Sequence, residues 1–276
     1  MHPELKFDLL GAQIEACLEI GVETPIYISA GVDEKYAFDH PDCVVRFSPN
    51  YPIEFLTEAR YHTLCFNSPY LDVLLAQIRE VMERYHPKQI FLDICDIRPC
   101  YCNYCTKTKR ELGLSTTDDA DAMKLGRMVF YHYCEEVERV VREIDPDTAI
   151  FHNAGRIPLD DRRFCSYDSH FEVENLPTGG WGYDHFPMAA SYVRNLDKEY
   201  LGMTGKFHRM WGEFGGFKHP NALRYENSLA LAFGAKCSVG DQLHPSGMMD
   251  MATYELIGKS YSEVEKKEPG AVTLRQ

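Results

Sequence analysis

One alternation runs the length of this 276-residue chain. Segments with helical spacing of apolar residues are followed by short apolar runs, over and over. That pattern predicts a parallel α/β architecture, because parallel strands need a crossover between them. Residues 5–20 place Leu9, Leu10, Ile14, Ala16, Cys17 and Ile20 on one helical stripe, and Gly21 follows as a stop signal. Residues 68–85 open with Ser68-Pro69 and keep Leu71, Leu74, Leu75, Ile78, Val81 and Met82 together. Further helices are expected over 119–144, 184–196, 221–234 and 251–268. Strands are expected over 25–29, 89–94, 148–153, 169–174, within 198–214, and over 235–243.

About six strands do not close an eight-stranded barrel, and the first element is a helix. Two folds satisfy this: an open doubly wound sheet, or a (β/α)₈ TIM-type barrel lacking its first two strands. No Gly-x-Gly-x-x-Gly follows the first strand, so the nucleotide-binding open sheet has no support. The expectation is therefore an N-terminally incomplete barrel over 1–268, with 269–276 as a tail that begins a further segment. Unpaired strand edges at such a gap predict association between copies.

Composition narrows the function. A net charge of −13 argues against a nucleic-acid partner, since phosphate binding needs a basic footprint. No run approaches the roughly 20 apolar residues that span a bilayer, and the first residues lack the features of a signal peptide. Ten cysteines are scattered through mostly apolar runs, as in reducing compartments. A soluble, cytoplasmic protein without an organic cofactor is expected. The aromatic content, 12%, suits a site that stacks rings on sugar faces and equally suits an aromatic-rich core.

Loops after parallel strands are where such folds place their chemistry. Asp93, Asn153, Glu172, Glu213 and Asp241 all fall at or just past expected strand ends. Glu172 and Glu174 alternate with Phe171 and Val173 and so share one strand face. Glu213 follows Trp211 in MWGEFGGF, where the indole could stack on a sugar. Asn153, His170, His208, Asp241 and His244 are candidate hydroxyl-binding residues, and Trp181 in PTGGWGY is a candidate aromatic lid. Cys100, Cys102 and Cys105 have soft-metal spacing. With a fourth thiolate the coordination shell would close, so zinc there would be structural; a zinc hydrolase using this loop is the competing enzyme reading.

Five blocks, LCFNSPYLD (64–72), FLDICDIRPCYCNYC (91–105), HFEVENLPTGGWGYDHFP (170–187), GMTGKFHRMWGEFGGFKHP (202–220) and GAKCSVGDQLHPSG (234–247), resemble the family called hypothetical glycosyl hydrolase 6, related to the family 151 α-L-fucosidases. The resemblance runs nearly the whole length, and members of that family normally carry strands before HPELKFDLLG. More distantly, CFNSPY and CYCNYC resemble family 42 β-galactosidases, whose similar cysteines hold a structural zinc. The resemblance implies a carbohydrate substrate and a retaining two-carboxylate glycoside hydrolase acting on an α-L-fucoside or related hexoside. It implies Asp93 as nucleophile by the fucosidase comparison, or as general acid by the family 42 comparison, with Asp96 a weaker rival. It leaves Glu213, Glu172 and Glu174 competing for the second role. It also implies Cys65 as the fourth zinc ligand, with Cys95 the runner-up. A β-galactosidase-like hydrolase and a catalytically impaired carbohydrate-binding barrel are the alternatives.

Overall fold

The computed structural model describes residues 4–50, 61–213 and 215–273. Its strands are β1 Ile26–Ile28, β2 Gln89–Leu92, β3 Ala149–His152, β4 Phe171–Glu174, β5 Tyr200–Gly205 and β6 Lys236–Gly240. They make two three-stranded sheets, β1-β2-β3 and β4-β5-β6, and every pairing is parallel. The helices are α1 Leu9–Glu19, α2 Glu34–Asp39, α3 Tyr70–Tyr85, α4 Asn103–Glu111, α5 Asp119–Ile144, α6 Arg162–Tyr167, α7 His185–Val193, α8 Pro220–Ala232 and α9 Met251–Thr273. The α/β alternation and the six parallel strands are as expected. Among the described residues, no helix is long and apolar enough to cross a membrane.

The chain divides into two compact units. One comprises the residues up to Ala154 with Arg163–Ser169, the other Gly155–Arg162 with the residues from His170 on.

In the first unit, β-strand alternation sorts the side chains onto two faces. Ile26, Ile28, Ile90, Leu92 and Ile150 join one buried core with α3 and α5. On α3 the buried residues Tyr70, Leu71, Leu74, Ile78 and Met82 follow helical spacing, and the helix stops at His86 in a left-handed conformation (φ 44°). On α5 the Asp118 carboxylate caps the first turn by accepting from Asp121 N at 2.9 Å. Phe66 stacks on Tyr133 at 4.0 Å and Phe130 on Phe164 at 4.5 Å. Burying each such side chain contributes about 1.5–3 kcal/mol. The opposite sheet face carries a row in register, Tyr27 beside Phe91 beside Phe151, with ring centroids 5.7 and 5.4 Å apart.

The short helices α2 and α6 were not among the expected elements, and three further elements differ from the sequence reading. α1 uses only part of its apolar stripe: Leu10 and Ile14 pack against the core, while Leu9 and Ile20 stay exposed. α4 has no apolar periodicity to betray it. It forms over the polar run NYCTKTKRE with Cys105 and Lys109 buried, the Lys109 ammonium lying 4.0 Å from the Tyr101 ring centroid. α9 continues through Pro269 to Thr273, beyond the expected end at 268.

In the second unit, α8 carries Asn227, whose amide donates to Ser260 Oγ of α9 at 2.8 Å. Phe186 of α7 meets Phe233 edge-on at 6.0 Å. A fully buried ion pair, Lys218 Nζ to Glu226 Oε2 at 2.5 Å, is completed by Thr204. Its hydroxyl accepts from Lys218 at 2.6 Å and donates to Glu226 at 2.6 Å. Burial pushes the Lys218 ammonium down and the Glu226 carboxyl up from their ordinary values, against the attraction between them.

Candidate active site and cysteine cluster

Asp93 follows β2 directly, and its amide continues the ladder by donating to Ile28 O at 2.9 Å. The side chain therefore shares the face of Phe91, away from the helices. Three donors from three chain segments hold the carboxylate. Asn153 Nδ2 reaches Oδ1 at 2.8 Å, Ile94 N reaches Oδ1 at 2.9 Å, and Tyr27 OH reaches Oδ2 at 2.6 Å. Oδ1 thus carries two hydrogen bonds and Oδ2 one. Partial burial and the Asp93 carboxylate beside it push the Tyr27 phenol above its ordinary value, and the hydroxyl is the donor. Asn153 was legible as a strand-end polar residue. Tyr27 was not: in PIYIS it reads as one more strand residue, and only register brings it beside β2.

The turn after Asp93 is strained. Ile94 has φ +62°, a region that costs a β-branched residue of order 1–3 kcal/mol. The neighbouring segment is shaped to fit it, because a Cβ on Gly31 would lie 2.0 Å from Ile94 O. Gly31 N also donates to Asp93 O at 3.0 Å.

Beyond this turn the four cysteines converge. The sulfurs of Cys65, Cys100, Cys102 and Cys105 lie within 4.8 Å of one another, and all four residues are buried. Cys65 Sγ and Cys105 Sγ are 3.5 Å apart. Tetrahedral zinc at about 2.3 Å from each sulfur would set sulfurs roughly 3.8 Å apart, so the cluster fits that ion. Cys95, the alternative fourth ligand, instead lies against Tyr133 OH at 3.1 Å. Thiol neighbours hold Cys100 well below its ordinary value and push Cys65 up, as expected where one thiolate is shared among donors. Asn67 Nδ2 adds a contact to Cys105 Sγ at 3.7 Å, and Cys102 N one to Cys100 Sγ at 3.5 Å. Four sulfurs would leave no coordination position for water, which removes the support for a zinc hydrolase.

The second unit holds the other candidates. On β4, Phe171 and Val173 are fully buried, while Glu172 and Glu174 share the opposite face. His170 Nε2 lies 2.9 Å from Glu172 Oε1. Glu213 stands on the loop between β5 and α8, where Oε2 accepts from Arg209 N at 2.8 Å. Trp211, on that loop, packs its ring where Cβ atoms on Gly205 and Gly240 would be, 2.9 and 2.3 Å away. Trp181 meets His185 edge-on at 4.9 Å in the turn Pro177–Trp181. That turn touches the Glu213 loop: Thr178 Oγ1 donates to His208 O, and a Cβ on Gly179 would lie 2.1 Å from Arg209 O. Trp181, His208, Trp211 and Glu213 therefore belong to one pair of interlocked loops. Asp241 follows β6, 3.8 Å from Lys206 Nζ, and His244 Nδ1 lies 2.9 Å from Ser246 Oγ. Lys206 escaped the sequence reading because a lysine in a glycine-rich stretch carries no signal of burial.

Residues 1–94 match the model of the family described as hypothetical glycosyl hydrolase 6. Among solved structures, the alpha-L-fucosidase isoenzyme 2 from Paenibacillus thiaminolyticus is 51% identical over 99% of this chain and 42% of its own, with a TM-score of 0.93. The beta-galactosidase from Bacillus circulans sp. alkalophilus is 14% identical over 98% of this chain and 50% of its own, with a TM-score of 0.72. A beta-galactosidase from the psychrophilic Marinomonas ef1 gives 11%, 98%, 54% and 0.70. At these identities the two galactosidases share a fold with this chain and nothing finer. The chain spans less than half the length of the fucosidase and about half of each galactosidase. No curated protein matches it.

Proposed function

We propose that this chain carries the catalytic core of a retaining glycoside hydrolase acting on α-L-fucosides or related hexosides. The 51% identity to a protein named an alpha-L-fucosidase supports the substrate class. The single observation that carries the chemistry is the Asp93 carboxylate, fixed by three donors at the end of a parallel strand. Two runs of three parallel strands, in chain order, accord with an incomplete (β/α)₈ barrel.

In this reading Asp93 Oδ2, the oxygen with fewer hydrogen bonds, attacks the anomeric carbon. The bond from that carbon to the leaving-group oxygen breaks, and the oxygen takes a proton from Glu213, Glu172 or Glu174. Water then attacks the glycosyl ester, losing its proton to the same glutamate, and Asp93 leaves as carboxylate. Tyr27 and Asn153 hold the Asp93 carboxylate in its orientation. Asn153, His170, His208, Trp181, Trp211, Asp241 and His244 are the candidate sugar contacts. Zinc, when bound by Cys65, Cys100, Cys102 and Cys105, would tie the segment after Asp93 to the fold. Ten free thiols accord with a reducing, cytoplasmic setting. A homo-oligomer completes the reading and is checked by sedimentation.

The test is turnover of an aryl α-L-fucoside. Asp93→Ala should lower it on the order of 10⁴-fold or more. Replacing the acid/base glutamate should hurt activated substrates less, with partial rescue by azide. An active parent whose Asp93→Ala variant keeps near-normal rates would sink the assignment. Metal analysis of protein never exposed to chelator should find one zinc per chain. Cys102→Ser should lower stability more than turnover per folded molecule.

A further inference from the structure

An open cavity of about 260 Å³ lies within the second unit, on the loops that follow β5 and β6. That is the carboxyl edge of a parallel sheet, where such folds bind ligands. Lys206 forms its most buried wall, only 4% exposed. Its backbone is locked on both sides: Lys206 N donates to Gly240 O at 2.9 Å, and Lys206 O accepts from Lys218 N at 2.7 Å. The ammonium has no hydrogen-bond acceptor among the described residues. Its nearest carboxylate oxygen, Asp241 Oδ1, is 3.8 Å away, and the rings of Phe207 and Phe217 lie 5.4 and 5.0 Å from it. The residue is buried but its ammonium opens onto the cavity, with three donors that meet no acceptor at hydrogen-bond distance among the described residues. Whatever enters the cavity can supply the missing oxygens.

The other walls say which oxygens. Asp241 and His244 give the cavity further polar groups, and a second carboxylate, Asp250, is already engaged by Ala252 N and Thr253 Oγ1, each at 3.1 Å; Phe217, Leu243 and Met248 give it an apolar side. An anion would meet Lys206 but also the Asp241 carboxylate beside it. A cation would face Lys206. A wholly apolar ligand would cover both charges without satisfying either. A neutral sugar ring meets every demand: adjacent hydroxyls accept from Lys206 and donate to Asp241, and its C–H face lies on the apolar side.

We infer that this cavity is a subsite for one neutral sugar ring, with Lys206 as the hydroxyl donor that positions it. The inference rests on the glycoside-hydrolase reading for its ligand class, but its test requires no turnover. Binding of L-fucose and D-galactose to the full chain is measured by calorimetry or saturation-transfer NMR. Both should bind saturably. Lys206→Met, which keeps the buried stem, and Asp241→Asn, which keeps the shape, should each weaken binding at least about tenfold, the loss expected for a charged hydrogen bond. D-glucuronate should bind no more tightly than D-glucose.

Saturable sugar binding that survives both substitutions overturns the inference, as does its absence from the parent or a preference for glucuronate. The two readings also fail separately. Hydrolysis with kcat and KM untouched by Lys206→Met removes the subsite and leaves the hydrolase. Sugar binding lost in both variants of a parent that hydrolyses no glycoside removes the hydrolase and leaves the site.

Discussion

Asp93 and Glu213 are both carboxylates beyond the ends of parallel strands, and they are held in opposite ways. Besides the adjacent Ile94 N, the donors to Asp93 come from two neighbouring strands brought alongside by sheet register, so its position is a property of the whole sheet. Glu213 is held by Arg209 N, four residues away on its own loop. That loop is fixed at its base, where Lys218 N bonds Lys206 O and the buried Lys218–Glu226–Thr204 group anchors the returning chain. A carboxylate built by register can be moved only by disturbing strands. One built by a loop can be moved by disturbing the anchor.

The largest effect should come from breaking that anchor. Lys218→Met leaves Glu226 buried without its partner, and unfolding by urea should show a loss of about 3–5 kcal/mol. Replacing Glu226 with Leu in the same molecule should recover most of it. Turnover per folded molecule should fall with the single change if Glu213 is the acid/base residue, and hold if Glu172 or Glu174 is. Next, Tyr27→Phe removes one donor from Asp93 and leaves the sheet intact. A hydrogen bond to a charged group is worth about 1.5–3 kcal/mol, so kcat should fall roughly ten- to a hundredfold with little change in unfolding. An unchanged kcat would mean that Asp93 does not depend on its three-segment cradle.

A smaller and graded effect concerns the back of the same sheet. His152 adjoins Asn153 but lies buried on the helix side, its Nδ1 3.1 Å from Tyr133 OH, and burial lowers its pKa to about 3. The fold accepts only neutral imidazole, whereas the unfolded chain titrates near 6.5. Its stabilisation is complete above about pH 6.5 and is lost as pH falls, by up to about 1.4 kcal/mol per unit, toward the folded value. Urea unfolding of the parent and of His152→Gln at pH 7, 6 and 5 should diverge accordingly. Parallel curves would remove His152 as the cause.

Legibility in the sequence followed the reach of each interaction. Strands and most helices were readable because their apolar periods lie within a few residues. The Asp93–Asn153 pair and the cysteine spacing were readable as residue types at strand ends. Tyr27, Lys206 and the Lys218–Glu226 pair were not, since each gains meaning only from a partner brought near by folding. α4 was hidden for a different reason: its buried side holds a cysteine and a lysine, which no apolar pattern marks.

The interlock of Gly31 with Ile94 has a consequence for how this protein can vary. A side chain at position 31 collides with the Ile94 carbonyl, and that carbonyl stands where it does because Ile94 keeps its left-handed conformation. Neither position is free to change alone: a larger residue at 31 needs a different backbone at 94, and that backbone would turn Asp93. In a library randomised at both sites and selected for activity, glycine at 31 should persist, and any survivor that abandons it should carry a compensating change at 94.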